Sequence, residues 1–132
     1  MQTVRRFGRA GLDLLEDREC LRLLGTVPVG RVVFTRGGLP AVRVVRFRVD
    51  EDSIVFAADD SEEGIRAALR GDVVAFEADD LDAGHTEGWT VTAVGHLSVV
   101  PPEEALVLAP SEPGRQLIRL DVESLSGHRL LV

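Results

Sequence analysis

A cluster of acidic residues lies where an apolar strand is predicted to turn into a helix, in the stretch FAADDSEEGIRAALRG at residues 56–71. The free backbone N–H groups at the start of a helix are suited to hold a phosphate. Here the turn is acidic, and no basic residue lies between Phe56 and Arg66. The acids are Asp59, Asp60, Glu62 and Glu63. We interpret Glu62 and Glu63 mainly as acids that favour the helix dipole, with a cation site as the alternative.

Three arginines interrupt a predicted apolar strand, LPAVRVVRFRVD at residues 39–50. Side chains alternate along a strand, so Arg46 and Arg48 share one face while Arg43 points to the other. An arginine is costly to bury without a partner. The three side chains therefore either line an anion-binding groove or form a solvated face paired with Glu77 or Asp50.

The other reactive side chains form no recognisable catalytic pattern. His85, His96 and His128 lie far apart without the spacing of metal ligands, so no metal site is predicted. No serine has a GxSxG context, and Cys20 is expected to be a packed residue on a helix. Trp89, the single tryptophan, is expected at a cofactor ring, at a subunit contact or as a plug at a barrel end. Catalytic residues remain unassigned.

Composition limits the classes of function. The chain has 132 residues and a net charge of −7, so it is expected to bind neither nucleic acid nor an anionic membrane. All basic residues are arginine, which excludes a Schiff-base lysine and a phosphate loop with lysine. No apolar run approaches the roughly 20 residues of a membrane span. We also see no secretory signal and expect a cytoplasmic protein.

Turn residues and apolar periodicity predict six strands and two or three short helices in one domain over residues 13–132, after a flexible segment at 1–12. Short turns favour antiparallel pairing, and Gly37-Gly38 predicts a tight hairpin. Closure of the sheet would remove its edges, so a barrel is expected. The predicted strands span 29–36, 39–50, 54–58, 72–80, 89–100 and 115–124, with helices after Asp17, from Ser61 to Gly71, and over 103–109.

The order of these elements and four segments resemble the pyridoxamine 5′-phosphate oxidase-like family of flavin-binding split barrels, in particular its small actinobacterial-type members. The segments are ECLRLLGTVPVGRVVFTRGGLPAVRVVRF, ALRGDVVAFEADDLD, GWTVTAVGHLSVV and IRLDVESLSGHRL. The resemblance implies a mainly β fold, a six-stranded antiparallel split β-barrel with short peripheral helices. It also implies a homodimer with a flavin at the subunit interface, acting as a small-molecule oxidoreductase.

The resemblance further implies a set of cofactor-binding residues. Arg43 matches a position that contacts the phosphate, while the strand after it runs along the flavin ring. Ala57 and Ala58 match positions that usually offer a hydroxyl or arginine. Trp89 and Thr90 match the start of a strand on the far side of the ring. The implied ring-bordering residues of the first strand are Val44, Val45, Arg46 and Phe47.

The acidic turn opposes ordinary FMN binding. Family members usually carry a base where this chain has Glu62 and Glu63. A carboxylate about 4 Å from a phosphate repels it by roughly 4 kcal/mol at an effective dielectric of 20. FMN is therefore one possible cofactor, and a deazaflavin or no cofactor are the alternatives. Without a flavin, the chain is expected to be a degenerate split barrel that acts as a dimeric binding or interaction module.

Overall fold

A computed structural model describes residues 12–59, 63–84, 86–108 and 115–131. None of the described helices is long and apolar enough to cross a membrane. Within these ranges the elements, in chain order, are β1 (Leu12–Leu14), α1 (Asp17–Leu24), β2 (Val29–Arg36), β3 (Leu39–Asp50), β4 (Ser53–Asp59), α2 (Glu63–Arg70), β5 (Val73–Leu81), β6 (Glu87–Val99), α3 (Pro102–Leu108) and β7 (Arg115–Leu131).

Six of the strands form a closed antiparallel ring. The order is β7-β4-β3-β2-β5-β6, and β6 pairs back onto β7. The short β1 joins the ring as an extra strand beside the end of β7, where Leu12 pairs with Leu130. The predicted six-stranded split barrel with short helices is confirmed.

The ring is not a regular barrel, because its strand pairs differ greatly in length. β6 and β7 share thirteen paired positions, and β5 and β6 share nine. β2 and β5 share only three, and β3 and β4 only four. The strand pairing is therefore long from β5 through β6 to β7, and short where β2 meets β5 and where β3 meets β4.

Side-chain alternation fills the inside of the ring. The inward positions of β2, β4 and β5 supply large buried residues, including Phe34, Ile54 and Phe76. Phe76 is fully buried beneath Gly30, where a Cβ atom would lie 2.2 Å from the Phe76 Cζ. Because the aromatic ring of Phe76 lies this close to the backbone of β2, position 30 requires a glycine.

A smaller cluster lies under α3, on the outer face of β4. It consists of Val55, Val100, Ala105 and Leu117. Arg119 fixes its rim: its guanidinium donates to Asp50 Oδ2 at 2.9 Å and to Ser53 Oγ at 2.6 Å. The same group is paired with Glu104 on α3. These contacts hold the β3–β4 turn and α3 together.

Most predicted elements are found with small shifts at their ends. Strands 29–36 and 39–50 are correct, and Gly37 and Gly38 have φ angles of 58° and 80°, which suits a tight hairpin. Asp17 is not the N-cap, because the extended residue before the helix is Glu16. β7 runs on as a single strand to Leu131. The predicted flexible segment lies outside the described residues except for Leu12, and Ser61 is also outside them.

Candidate functional site

The site is built around a gap between two neighbouring strands. The β3–β4 ladder runs from Asp50 and Ser53 to Phe47 and Phe56 and then stops. Both strands continue beyond that point, β3 back to Leu39 and β4 on to Asp59. We call this gap, between β3 residues 43–46 and β4 residues 57–59, the seam.

Each strand of the seam keeps a partner on its outer side only. Residues 43–46 of β3 pair with residues 29–32 of β2, while residues 57–59 of β4 pair with residues 115–117 of β7. On the seam side, neither segment has a strand partner among the described residues. The backbone of a strand edge presents N–H and C=O groups that seek partners, so the seam can hydrogen-bond a flat polar molecule.

The side chains of β3 divide between the two faces of the sheet. Arg43, Val45 and Phe47 lie on the inward face, and the Phe47 ring packs edge-to-face on Phe76 at 4.8 Å between centroids. Val44 and Arg46 lie on the outer face, where Val44 is 63% exposed. The aromatic pair therefore closes the inner end of the seam, and the rest of β3 stays accessible.

The predicted β4 residues border the other side of the seam. Ala58 is 1% exposed and belongs to the main core, whereas Ala57 packs beside the cluster under α3. The structure thus brings six of the predicted residues to the two edges of one gap and a seventh, Phe47, to the end where the ladder closes. The six are Arg43, Val44, Val45, Arg46, Ala57 and Ala58. Their contact with a cofactor stays a prediction.

Trp89 and Thr90 lie elsewhere in the chain. They are on β6, which β2 and β5 separate from β3 in the sheet. Trp89 is 6% exposed and packs in the main core, as expected of a residue that plugs the barrel. Thr90 faces outward and donates to Glu77 Oε2 at 3.0 Å. Within one chain these two residues do not join the seam.

Thr90 belongs to a polar cluster on the outer face. Arg31 Nη1 lies 3.4 Å from Glu77 Oε1 and 3.5 Å from Asp79 Oδ2. Burial raises the pKa of Glu77, and its hydrogen bond with Asp79 raises the pKa further. One guanidinium thus serves two carboxyl groups, and Glu77 prefers its neutral form more than an ordinary glutamate does. The sequence offered Glu77 or Asp50 as partners for the arginines of β3. In the structure Glu77 pairs instead with Arg31, and Asp50 pairs with Arg119.

Arg48 is also committed within the chain, since its guanidinium donates to the carbonyl of Leu108 at the end of α3. Arg46, by contrast, is exposed and has no hydrogen bond or ion pair with another described residue. The two arginines that share a face therefore have different roles. Arg48 anchors a helix, and Arg46 remains available to an anion at the seam.

A base that the sequence did not indicate stands at the open end of β4. Arg115 Nη2 donates to the Ala57 carbonyl at 3.1 Å, and its Nε lies 3.8 Å from Asp59 Oδ1. Residues 59–64 contain no base, as the sequence indicated, but the β4–β7 register places Arg115 directly opposite Asp59. The sequence alone does not give this register, so it could not indicate Arg115 as a neighbour of Asp59. Glu62 lies outside the described residues, and α2 begins at Glu63.

Two of the clefts formed by described residues lie beside a predicted site residue. The larger, of about 430 Å³, lies between the α1–β2 connection and residues 47–49. The smaller, of about 250 Å³, lies beside Trp89 and Arg129. Each contains one predicted site residue, Phe47 or Trp89.

Three comparisons relate this geometry to known proteins. Residues 16–129 match the family described as pyridoxamine 5′-phosphate oxidase. The uncharacterized protein Rv0080 of Mycobacterium tuberculosis is 40% identical over 94 residues, which are 68% of this chain and 62% of that protein. This chain thus spans less than two thirds of the length of that relative.

Solved structures of other bacterial proteins share the fold. The FAD binding protein from Mycobacterium smegmatis has a TM-score of 0.77 and 28% identity, over 90% of this chain and 98% of that one. An FAD-binding protein from Mesorhizobium loti has a TM-score of 0.74 and 18% identity, over 89% and 97% of the two chains. The second likeness supports the fold alone.

Proposed function

Because the chain belongs to the pyridoxamine 5′-phosphate oxidase family, we propose that it binds a flavin along the seam and acts as an oxidoreductase on a small molecule. The observation that carries this proposal is the seam itself, two strand edges left open beside a buried aromatic pair. The flavin binding of the 28% identical M. smegmatis protein supports the same cofactor class.

The residues at the seam fit such a cofactor. The open backbone edge of β3 offers donors and acceptors in one row, which suits the polar edge of a flavin ring. Val45 and Ala57 offer apolar contact at its two sides. Arg46 supplies positive charge for a phosphate on the outer face, and Arg43 supplies positive charge on the inward face of the same strand. Charged hydrogen bonds to an anion are among the strong ones. The chain would therefore position the flavin by backbone groups and arginines.

A bound flavin supplies the electron-transfer chemistry, and the protein supplies binding, orientation and shielding. The valines and alanines along the seam carry no titratable group, so they bind and shield without exchanging protons. No described side chain at the seam is assigned as a catalytic acid or base. Substrate specificity would then depend on which molecules can reach the flavin from the outer face.

Between FAD and FMN we propose FAD, and a deazaflavin stays an alternative. The terminal phosphate of FMN carries about −1.5 to −2 charges at neutral pH, as other phosphate monoesters do. In the pyrophosphate of FAD each phosphorus has one ester link and one anhydride link, so each carries about one negative charge. Asp59 at the end of β4 repels the more highly charged group more strongly.

We further propose that two copies associate through the outer face. Val42, Val33, Ala75 and Val94 form a continuous apolar row across β3, β2, β5 and β6. Val42 is 63% exposed in the single chain, and a second copy would cover it. If Thr90 borders the ring, it must come from the second copy, whereas the Trp89 side chain stays buried in the core of its own chain. Sedimentation should give a particle of twice 14.3 kDa, and a 14.3 kDa particle at micromolar concentration would contradict this proposal.

The test is a binding titration. Purified protein is titrated with FAD, FMN and a deazaflavin, while flavin fluorescence and absorbance near 450 nm are recorded. The variants Arg43→Ala and Arg46→Ala remove a charge at the seam, and Arg18→Ala removes an exposed charge on α1 as the matched control. A charged hydrogen bond contributes about 1.5–3 kcal/mol, so each seam variant should weaken binding by about tenfold or more.

A protein that binds none of the three flavins at micromolar concentration would refute the proposed function. The chain would then be a split barrel that has lost its cofactor and acts as a binding or interaction module.

A further inference from the structure

We propose that Arg115 is a phosphate-binding residue, which acts from β7 across the end of β4 together with Arg46 of β3. This inference rests on the proposed flavin binding at the seam and concerns how the cofactor's phosphates are held. It assigns a binding role to a residue that lies far from the seam in the sequence and reaches it only through strand pairing.

The two arginines lie on the same face of the sheet, on opposite sides of the seam. Arg48 pairs with Val55, whose side chain lies in the outer cluster under α3, so even-numbered β3 residues such as Arg46 face outward. On β4, Asp59 shares the outward face of Val55, and Arg115 is its direct cross-strand partner. A phosphate over the outer mouth of the seam therefore has a guanidinium on each side.

The contacts of Arg115 hold the guanidinium in place without using all its donors. Its Nη2 donates one hydrogen bond, to the carbonyl of Ala57 at 3.1 Å. The 3.8 Å separation of its Nε from Asp59 Oδ1 allows an ion pair but is too long for a hydrogen bond. A guanidinium has five N–H donors, so most remain for an anion. The side chain is 40% exposed, which leaves it accessible.

Other arginines near this end of the barrel are already occupied. Arg48 donates to the Leu108 carbonyl, and the half-buried Arg119 is paired with Asp50, Ser53 and Glu104. Asp59 would otherwise stand unopposed at the end of β4 and repel a phosphate. At 3.8 Å and with both side chains exposed, Arg115 offsets only part of the charge of that carboxylate. The guanidinium can turn to the stronger anion when a phosphate arrives, because Asp59 is 54% exposed and water can then solvate it.

The experiment compares flavins with and without a phosphate. Wild type, Arg115→Gln, Asp59→Asn and the control Arg18→Ala are titrated with FAD and with riboflavin, which has the ring but no phosphate. Glutamine keeps an N–H donor for the Ala57 carbonyl and removes the charge. We expect Arg115→Gln to weaken FAD binding about tenfold to a hundredfold, and to change riboflavin binding less than twofold.

Asp59→Asn removes the competing carboxylate and should tighten FAD binding several-fold without an effect on riboflavin. Added salt should weaken the binding of FAD to wild type more than to Arg115→Gln.

Three results would overturn the inference and leave the proposed function standing. FAD binding of Arg115→Gln equal to wild type would exclude a phosphate contact. Equal losses of FAD and riboflavin would mean that Arg115 acts on the fold, which a lowered melting temperature would accompany. A wild type that binds riboflavin and FAD equally would show that the protein makes no stabilising contact with the phosphates. A wild type that binds neither would instead refute the proposed function, and this inference with it.

Discussion

Phe47→Ala is expected to destabilise the protein strongly, because Phe47 closes the inner end of the seam. Its ring is 7% exposed and packs edge-to-face on Phe76. Truncation of a buried phenylalanine to alanine costs about 3–5 kcal/mol, and the loss is larger where neighbours cannot collapse into the space. Phe76 is wedged against Gly30, which limits such collapse, so we expect about 4 kcal/mol.

The assay is urea unfolding followed by the fluorescence of Trp89, which is buried in the folded chain. For 132 residues at about 2.1 cal/mol/K per residue, 4 kcal/mol corresponds to a melting temperature lower by about 14 °C. The matched control is Val44→Ala on the outer face of the same strand, where an exposed side chain changes stability by about 0.5 kcal/mol or less. A loss below 1 kcal/mol for Phe47→Ala, measured at two protein concentrations, would refute this packing argument.

Three further predictions concern single residues. Since the pKa of Glu77 is raised in the folded chain, the contribution of Glu77 to stability falls as the pH rises above the ordinary value of 4.5. Relative to wild type, Glu77→Gln should therefore have a higher melting temperature at pH 8 than at pH 4, and an equal difference at both would contradict this. Burial raises the pKa of Cys20 to about 11, so its thiol should react with a disulfide reagent at pH 8 only as fast as the chain opens, and the rate of a free thiol would be contrary evidence. Gly30→Ala would place a Cβ atom 2.2 Å from the Phe76 ring and should cost about 1–3 kcal/mol or more by overpacking, whereas Gly84→Ala, whose nearest neighbours lie at 3.8 Å, should leave the melting temperature unchanged.

Local rules account for the elements of the fold. Alternation of apolar and polar residues predicts β2 and β3 correctly, and two glycines with positive φ form the turn between them. Gly71, with φ of 69°, ends α2 as expected. The misplaced N-cap at Asp17 is a local error of one residue, and acids still occupy the first turn of α1. These features follow from neighbours in the chain.

The candidate site was only partly predictable. The resemblance placed Arg43 to Phe47 and Ala57 to Ala58 at the cofactor, and the fold brings both segments to one seam. It also included Trp89 and Thr90, which the fold keeps apart from that seam within one chain. Nothing in the sequence indicated where the β3–β4 ladder would stop, because both strands continue their pattern beyond that point.

The sequence by itself determined which segments become strands, where they turn and which side chains face inward, because these depend on backbone preferences and on a period of two. Only the tertiary structure decided which strands separate and which charges meet. Arg115 and Ala57 are 58 positions apart, and Arg31 and Glu77 are 46 apart. Such pairs depend on the register of distant strands when the ring closes, and a shift of one residue would turn each side chain to the opposite face.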